Sequence, residues 1–297
     1  MKIVQRVELK PDQWNIFVDA HPACWFWWRA EWIDYCLAHS GGTDRSFAIV
    51  EADEIVGLCP LIQERDQFSM GGGPCAWPVM AASNFDTRSI CDAMAAELER
   101  LVGLSAIKQA RFRRSPLNGN EPVMRLDGYK DISWQSQVID LTAPDLWAGV
   151  KDGHRAEVHR GLRELMVVTH TSEPRWDEFR ELHKHEAGRT TRPQATWDMM
   201  RGWQQAGNGD LIMAFRAGQA VGAAYFITYK QCMYYASAAW PEGHVSHAVI
   251  WMAMRNFKER GYKQLEMGWL DHQTLAVFKR GFGGEPKTVH CVERRWP

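Results

Sequence analysis

The chain has no apolar run able to cross a bilayer. IVGLCPLI at 55–62 falls far short of the roughly 20 residues a spanning helix needs. The first residues, MKIVQRVELKPDQW, contain no apolar signal-peptide core, so a cytoplasmic protein without integral membrane association is expected. Charge of one sign is also missing. The formal net charge is −1, which gives no global field toward nucleic acid or anionic membranes, and DNA is not an expected partner. Cysteine pairs in metal or redox spacing are absent. Cys24, Cys36, Cys59, Cys75, Cys91, Cys232 and Cys291 are scattered, with no CxxC, and read as reduced thiols, several of them in the core. There is no GxGxxG after a strand and no GxxxxGK[ST], so dinucleotide and P-loop readings lack support. Without HExxH or GxSxG, neither a zinc hydrolase nor a serine nucleophile is indicated. His183, His185 and Glu186 on one helix, and His154 with His159, have spacings that do not converge on one ion, so no metal site is expected. What remains is chemistry without a protein nucleophile, the direct transfer of an activated acyl group to an amine.

What is present is a chain of 297 residues, 45% hydrophobic and 24% charged, long enough for two domains. Its fifteen tryptophans imply large buried aromatic surfaces or an aromatic-lined cleft. Strands and helices alternate throughout, which points to an α/β (α+β layered) fold. In the first half, 46–65 reads as two strands joined at Ala52-Asp53-Glu54, followed by the glycine-rich loop 71–74 and a strand near 76–80. A helix over 88–103 carries the stripe Met94, Leu98, Leu101 and Val102, and a strand follows at 106–113. In the second half, 165–170 is a strand, and 172–188 a helix capped by Ser172 with Pro174 in its first turn. Residues 211–239 read as three antiparallel strands turning at Ala217-Gly218 and Lys230-Gln231. Ser246 is expected to cap a helix with the stripe Ile250, Ala253, Met254 and Phe257. A strand at 264–268, a helix capped by Asp271 and a last strand at 287–294 complete the order. The two halves share this pattern, which predicts domains at 1–143 and 144–297, each a mixed, mostly antiparallel sheet flanked by helices.

One segment asks for an explanation of its own. TLAVFKRGFGGEP (274–286) sets Phe278, Lys279 and Arg280 before Gly281, Phe282, Gly283 and Gly284. The bland account is a helix C-terminus, with cations at its negative end and Gly281 as a left-handed cap. The sharper one is a fixed cation reaching into an active site.

Three stretches taken together, 183–197, 234–251 and 266–284, resemble the second domain of the FemABX-like branch of the GNAT acyltransferase superfamily. The resemblance is carried by 145–297; the first half fits by pattern only. It implies tandem GNAT-like domains, the first degenerate and the second catalytic. It also implies transfer of an amino acid from aminoacyl-tRNA to an amine, or acyl-CoA as donor in looser relatives. By the resemblance, Lys279 stabilises the tetrahedral intermediate and Phe278 recognises the donor. The usual [RQ]xxGx[GA] pyrophosphate loop is missing; WPEGHVSHA (240–248) stands in its place, where Ser246, His247 and Ala248 are expected to offer backbone N–H groups to an anion. The helical-arm insertion of some peptidoglycan-bridge enzymes is missing too.

The remaining candidates follow from residue chemistry. Arg189 and Arg192, in a loop, suit bidentate binding of carboxylate or phosphate. Arg155 lies on a basic amphipathic stretch, and Tyr235 is a donor for a leaving group. Candidate bases are His247, Asp271, His272 and Glu266. The expected activity is N-acyl transfer from acyl-CoA, a co-substrate and not a resident cofactor, to a small-molecule or nucleotide-sugar amine. Aminoacyl-tRNA is the alternative donor, with tRNA then a partner. A non-catalytic binding module on the same fold is a further alternative.

Overall fold

The computed structural model describes residues 1–10, 12–81, 86–117, 124–168, 175–240 and 242–297. The chain divides into two units, Met1–Trp134 with Thr288–Pro297, and Gln135–Lys287. The single cut expected between 143 and 144 differs from this division in two places. Residues 135–140 already form a strand of the second unit, and the C-terminal residues return to the first.

In the first unit, β1 (Lys2–Gln5) precedes two helices, α1 (Gln13–Ala20) and α2 (Ala30–Ser40). Strand β2 (Thr43–Asp44) leads into β3 (Phe47–Glu51) and β4 (Glu54–Cys59). The turn between β3 and β4 puts both Ala52 and Asp53 at positive φ, the twist a two-residue hairpin loop requires. Short strands follow: β5 (Ile62–Glu64), β6 (Gln67–Phe68), β7 (Cys75–Ala76) and β8 (Val79–Met80). Helix α3 (Thr87–Ser105) buries the predicted stripe Met94, Leu98, Leu101 and Val102, and Asp86 caps it by accepting from the Arg88 N–H. Strands β9 (Gln109–Arg113) and β10 (Lys130–Asp131) complete this part of the chain. This unit holds two sheets where one was expected, a four-stranded sheet β1-β3-β4-β8 and a second sheet built on β9.

The second unit starts with β11 (Trp134–Asp140), α4 (Asp152–Glu164) and β12 (Met166–Val168). The expected cap Ser172 and Pro174 lie outside the described residues; the helix itself is α5 (Trp176–Ala187), followed by α6 (Gln194–Gln205). The predicted triplet is β13 (Gly209–Arg216), β14 (Gln219–Tyr229) and β15 (Cys232–Ala239), with Ala217, Gly218, Lys230 and Gln231 all at positive φ in its two turns. Then come α7 (Gly243–Glu259), β16 (Gln264–Trp269), α8 (Gln273–Arg280) and β17 (Glu285–Val289). Strand β18 (Cys291–Arg295) belongs to the first unit and pairs with β9 and β10. The sheet of the second unit runs β12-β13-β14-β15-β16-β11-β17. Its core is the α7 face, where Val249, Ile250, Ala253, Met254 and Phe257 pack on Phe226, Leu265 and Met267. Strands β15 and β16 run parallel and pair only over 232–234 with 264–266. Beyond that they part, and α7 connects them.

Two cap assignments change. Helix α7 begins at Gly243 with Glu242 as its cap residue; Ser246 sits inside it and donates its hydroxyl to the Gly243 carbonyl. Helix α8 has His272, in extended backbone, as its cap residue, and Asp271 lies one residue outside, exposed. No described helix is long and apolar enough to cross a membrane.

Candidate active site

Lys279 is carried on the last turn of α8, yet it is 9% exposed. Helix α8 turns Leu275 and Val277 outward and Ala276 and Lys279 inward. The ammonium folds back to donate to the Trp269 carbonyl at 2.7 Å. Burial holds its pKa below 10.5, opposed by the charge of Glu266. A cation serving only the helix end would sit in solvent, so the dipole account of Lys279 does not describe this geometry.

The ammonium borders a notch left by Gly268. A Cβ at that position would lie 3.6 Å from Lys279 Nζ and 3.6 Å from the Tyr234 hydroxyl, and Gly268 has φ +81°. Tyr234 on β15 is register partner of Glu266 on β16, so both side chains leave the sheet on one face. Glu266 is 5% exposed and accepts from the Ser136 hydroxyl at 2.8 Å. Cation, phenol and carboxylate thus surround a space with no side chain of its own, a place for a polar reacting group.

The glycines after Lys279 are required for three separate reasons. Gly281 is in right-handed helical conformation (φ −66°, ψ −20°), not the left-handed cap expected. A Cβ there would meet His154 Nε2 at 2.0 Å, so any other residue has to displace that ring. Gly283 and Gly284, at φ +89° and +75°, turn the chain away, and their would-be Cβ atoms abut the carbonyl oxygens of Gly149 and Val138. Gln137 Nε2 donates to the Gly283 carbonyl at 2.6 Å and pins the loop to β11.

His154 Nε2 lies 2.9 Å from the Phe278 carbonyl, so Nε2 carries the ring proton. Its ring is 4.4 Å from that of His247, and Phe278 and Phe282 close the cluster at 5.2 Å from each other. Burial, then the neighbouring His247, lowers the His154 pKa below 6.5. Between that lowered value and 6.5 the unfolded chain binds more protons than the folded one. Stability from the neutral ring is therefore complete above 6.5 and is lost as pH falls through the folded value. Melting temperatures at pH about 7.5 and about 5.5 are expected to differ more for the wild type than for His154→Gln, which keeps a donor to Phe278 without the titration.

The other predicted residues are placed as follows. His247 Nδ1 meets the Gly243 carbonyl at 2.7 Å, leaving Nε2 as the basic nitrogen. Asp271 forms no hydrogen bond with Lys279 among the described residues. Ser246 and Ala248 lie in the second turn of α7, where their N–H groups belong to the helix ladder. Ala248 is buried where Gly161 lets α4 approach α7. They therefore do not offer the anion site expected of them. Acids gather at the start of α7 instead: Glu242 pairs with Arg216 at 2.9 Å, and Glu164 meets His244 at 3.1 Å. Arg155 is tied to the Trp147 and Ala148 carbonyls and to Asp152. Arg189 is exposed, whereas Arg192 lines a cleft of about 230 Å³ with Arg180, Lys184, Thr191 and Trp197, its guanidinium 4.7 Å above the Trp197 ring. Tyr235 stacks on Trp240 and packs against the core, and burial raises its hydroxyl pKa well above 10. Its neighbour Tyr234 is the tyrosine at the notch. Strand alternation shows that the two face opposite ways, but not which one faces the site. No group of described His, Cys, Asp and Glu side chains is arranged to hold a metal.

Neither a family model nor a curated protein matches the sequence. Solved structures do. FemX superposes with a TM-score of 0.70 at 12% identity, covering 100% of this chain and 98% of its own. This is the tandem GNAT fold of FemX. A tandem GNAT protein from the clavulanic acid biosynthesis pathway shares it with a TM-score of 0.56 at 12% identity, over 100% of this chain and 99% of its own. So does the C-terminal domain (DUF2156) of an Agrobacterium fabrum protein named as a lysylphosphatidylglycerol synthetase. Its TM-score is 0.63 at 13% identity, over 96% of this chain and 91% of its own. On this fold the Gly268 notch and Lys279 lie in the second unit.

Proposed function

We propose that the protein transfers an aminoacyl group from aminoacyl-tRNA to the amine of a small or sugar-linked acceptor, with chemistry in the second unit. The observation that carries the transferase reading is the buried Lys279 ammonium at the Gly268 notch. Direct attack of the amine on the donor ester carbonyl gives a negative oxygen; collapse of that intermediate breaks the ester C–O bond and releases the tRNA ribose hydroxyl, which in the end takes up the proton the amine loses. In this reading Lys279 and the Tyr234 hydroxyl, both at the Gly268 notch, donate to the negative oxygen. Glu266, whose charge Lys279 feels, and His247 Nε2 are the candidate acceptors for the proton the amine loses. Asp271, exposed before α8, has no role in this scheme. Phe278 contacts the donor, and Arg192 in its cleft binds an anionic group of a substrate.

Aminoacyl-tRNA replaces acyl-CoA, the donor expected first, on two grounds. FemX and the domain named for lysyl transfer to phosphatidylglycerol superpose better than the clavulanic acid pathway protein does. In addition, Glu242 and Glu164, paired with Arg216 and His244, already occupy the N-terminus of α7, where a pyrophosphate would have to sit. The test is transfer of labelled amino acid from bulk charged tRNA into a pool of small amines. RNase pretreatment is expected to abolish it. Transfer from acetyl-CoA that survives RNase would contradict the donor assignment.

A further inference from the structure

Arg111 and Arg113 point from one face of β9, because Ala110 and Phe112, which alternate with them, are buried on the other. Both side chains are half-buried, and the Nε atoms of both are buried without a hydrogen-bond partner among the described residues. Neither forms an ion pair among those residues. Arg111 donates to the Gly72 carbonyl at 3.0 Å, and the Arg113 guanidinium stacks 4.7 Å above the Trp27 ring.

Carboxylates share this neighbourhood but are committed elsewhere. Glu293, opposite Arg111 in the ladder, accepts from Arg295 at 2.9 Å and from Gln109. Glu64 accepts from the Gly71 and Gly72 N–H groups at 2.7 and 3.0 Å and from the Ser69 hydroxyl. The glycine-rich loop is thus held by a carboxylate of the protein itself. Two like charges on one strand face, partly removed from water and without an ion-pair contact among the described residues, repel each other; Glu293 opposite Arg111 offsets part of this, and a bound anion relieves the rest.

An aromatic wall stands beside them. Trp27 and Trp32 rings are 4.4 Å apart, and Trp32 and Tyr35 stack at 5.2 Å with 16° between planes. Trp32 and Tyr35 are half-buried and keep part of their surface in solvent. The glycine-rich loop 71–74 packs on the same helix, since a Cβ on Gly71 would lie 3.7 Å from Cys36 Sγ and from the His39 ring.

We propose that Arg111 and Arg113 with the Trp32–Tyr35 face form a binding site in the first unit for an oxyanion carried on a sugar. The paired guanidinium groups take the carboxylate or phosphate in bidentate fashion, and the rings take the apolar face of the sugar. The test is calorimetric titration of the full chain with glucuronate, glucose 6-phosphate, inorganic phosphate and glucose. One of the two sugar acids is expected to bind, identifying carboxylate or phosphate as the group held, and glucose is expected not to. Arg113→Gln should weaken binding roughly tenfold or more. Arg111→Lys, which keeps the charge and fold but loses the fork, should weaken it by a smaller factor. Lys279→Ala should leave it unchanged, so the outcome is independent of the transfer reaction. Lack of binding by both sugar acids, affinities unaltered in both arginine variants, or inorganic phosphate binding as tightly as the sugar phosphate would each overturn the proposal.

Discussion

Lys279→Ala is expected to lower the transfer rate by about 10²–10³-fold, the usual loss on removing one donor to a developing oxyanion. The expectation rests on burial. A lysine only 9% exposed beside the Gly268 notch acts through little water, whereas an exposed cation at a helix end is worth under about 1 kcal/mol, or about fivefold in rate. The charged form is the useful one. Because burial holds the Lys279 pKa below 10.5, the rate should fall on the alkaline side before an exposed lysine would titrate. The same shift has a consequence for stability. From the lowered value up to 10.5 the unfolded chain binds more protons, so this group adds stability as pH rises through that window. A pH–rate profile and single-turnover kinetics of the variant check both parts. Activity within about fivefold of wild type would return Lys279 to a dipole partner.

Gly284→Ala carries the largest expected cost to stability. The residue stands at φ +75°, which costs an L side chain roughly 1–2 kcal/mol. The new Cβ would also press on the Val138 carbonyl and on Ile139 Cα, backbone atoms of β11 that have nowhere to move. Together these should remove about 3 kcal/mol or more. That corresponds to a fall in melting temperature of roughly 6–12 °C. Gly281→Ala should cost less, because its clash is with the His154 ring, which can rotate away at the loss of one hydrogen bond to Phe278. Thermal denaturation of the two variants side by side checks the order; an unchanged melting temperature for Gly284→Ala would remove the close approach of this loop to β11.

Local chemistry made much of the fold legible. The two-residue turns at Ala52-Asp53, Ala217-Gly218 and Lys230-Gln231 are where hairpin twist demands positive φ, and the α3 stripe is a run of 3.6-residue periodicity. Strand β11 was not legible because its buried Ser136 and Gln137 look like surface residues. Their partners, Glu266 and the Gly283 carbonyl, are more than a hundred residues away. The return of β18 to β9 is likewise a long-range pairing with no local signal. At the site, the Phe278-Lys279 pair stood out, but Tyr234 did not. A bulge in β15 opposite Tyr225-Phe226 changes which side chains share a face farther along the strand, so the sequence alone favours neither Tyr234 nor Tyr235. The start of α7 was misplaced because Ser246 has the chemistry of a cap, whereas here it bonds back to Gly243 from within the helix.

In the proposed reaction the Gly268 notch with Lys279 receives the carbonyl of an aminoacyl donor carried on tRNA. Its most direct measurement is a binding titration with a non-reactive aminoacyl-tRNA analogue, with and without excess acetyl-CoA, on wild type and Lys279→Ala. Saturable binding by the wild type, weakened in the variant and without competition from acetyl-CoA, is expected. Tight binding of acetyl-CoA with none of the analogue, or binding indifferent to Lys279, would contradict it.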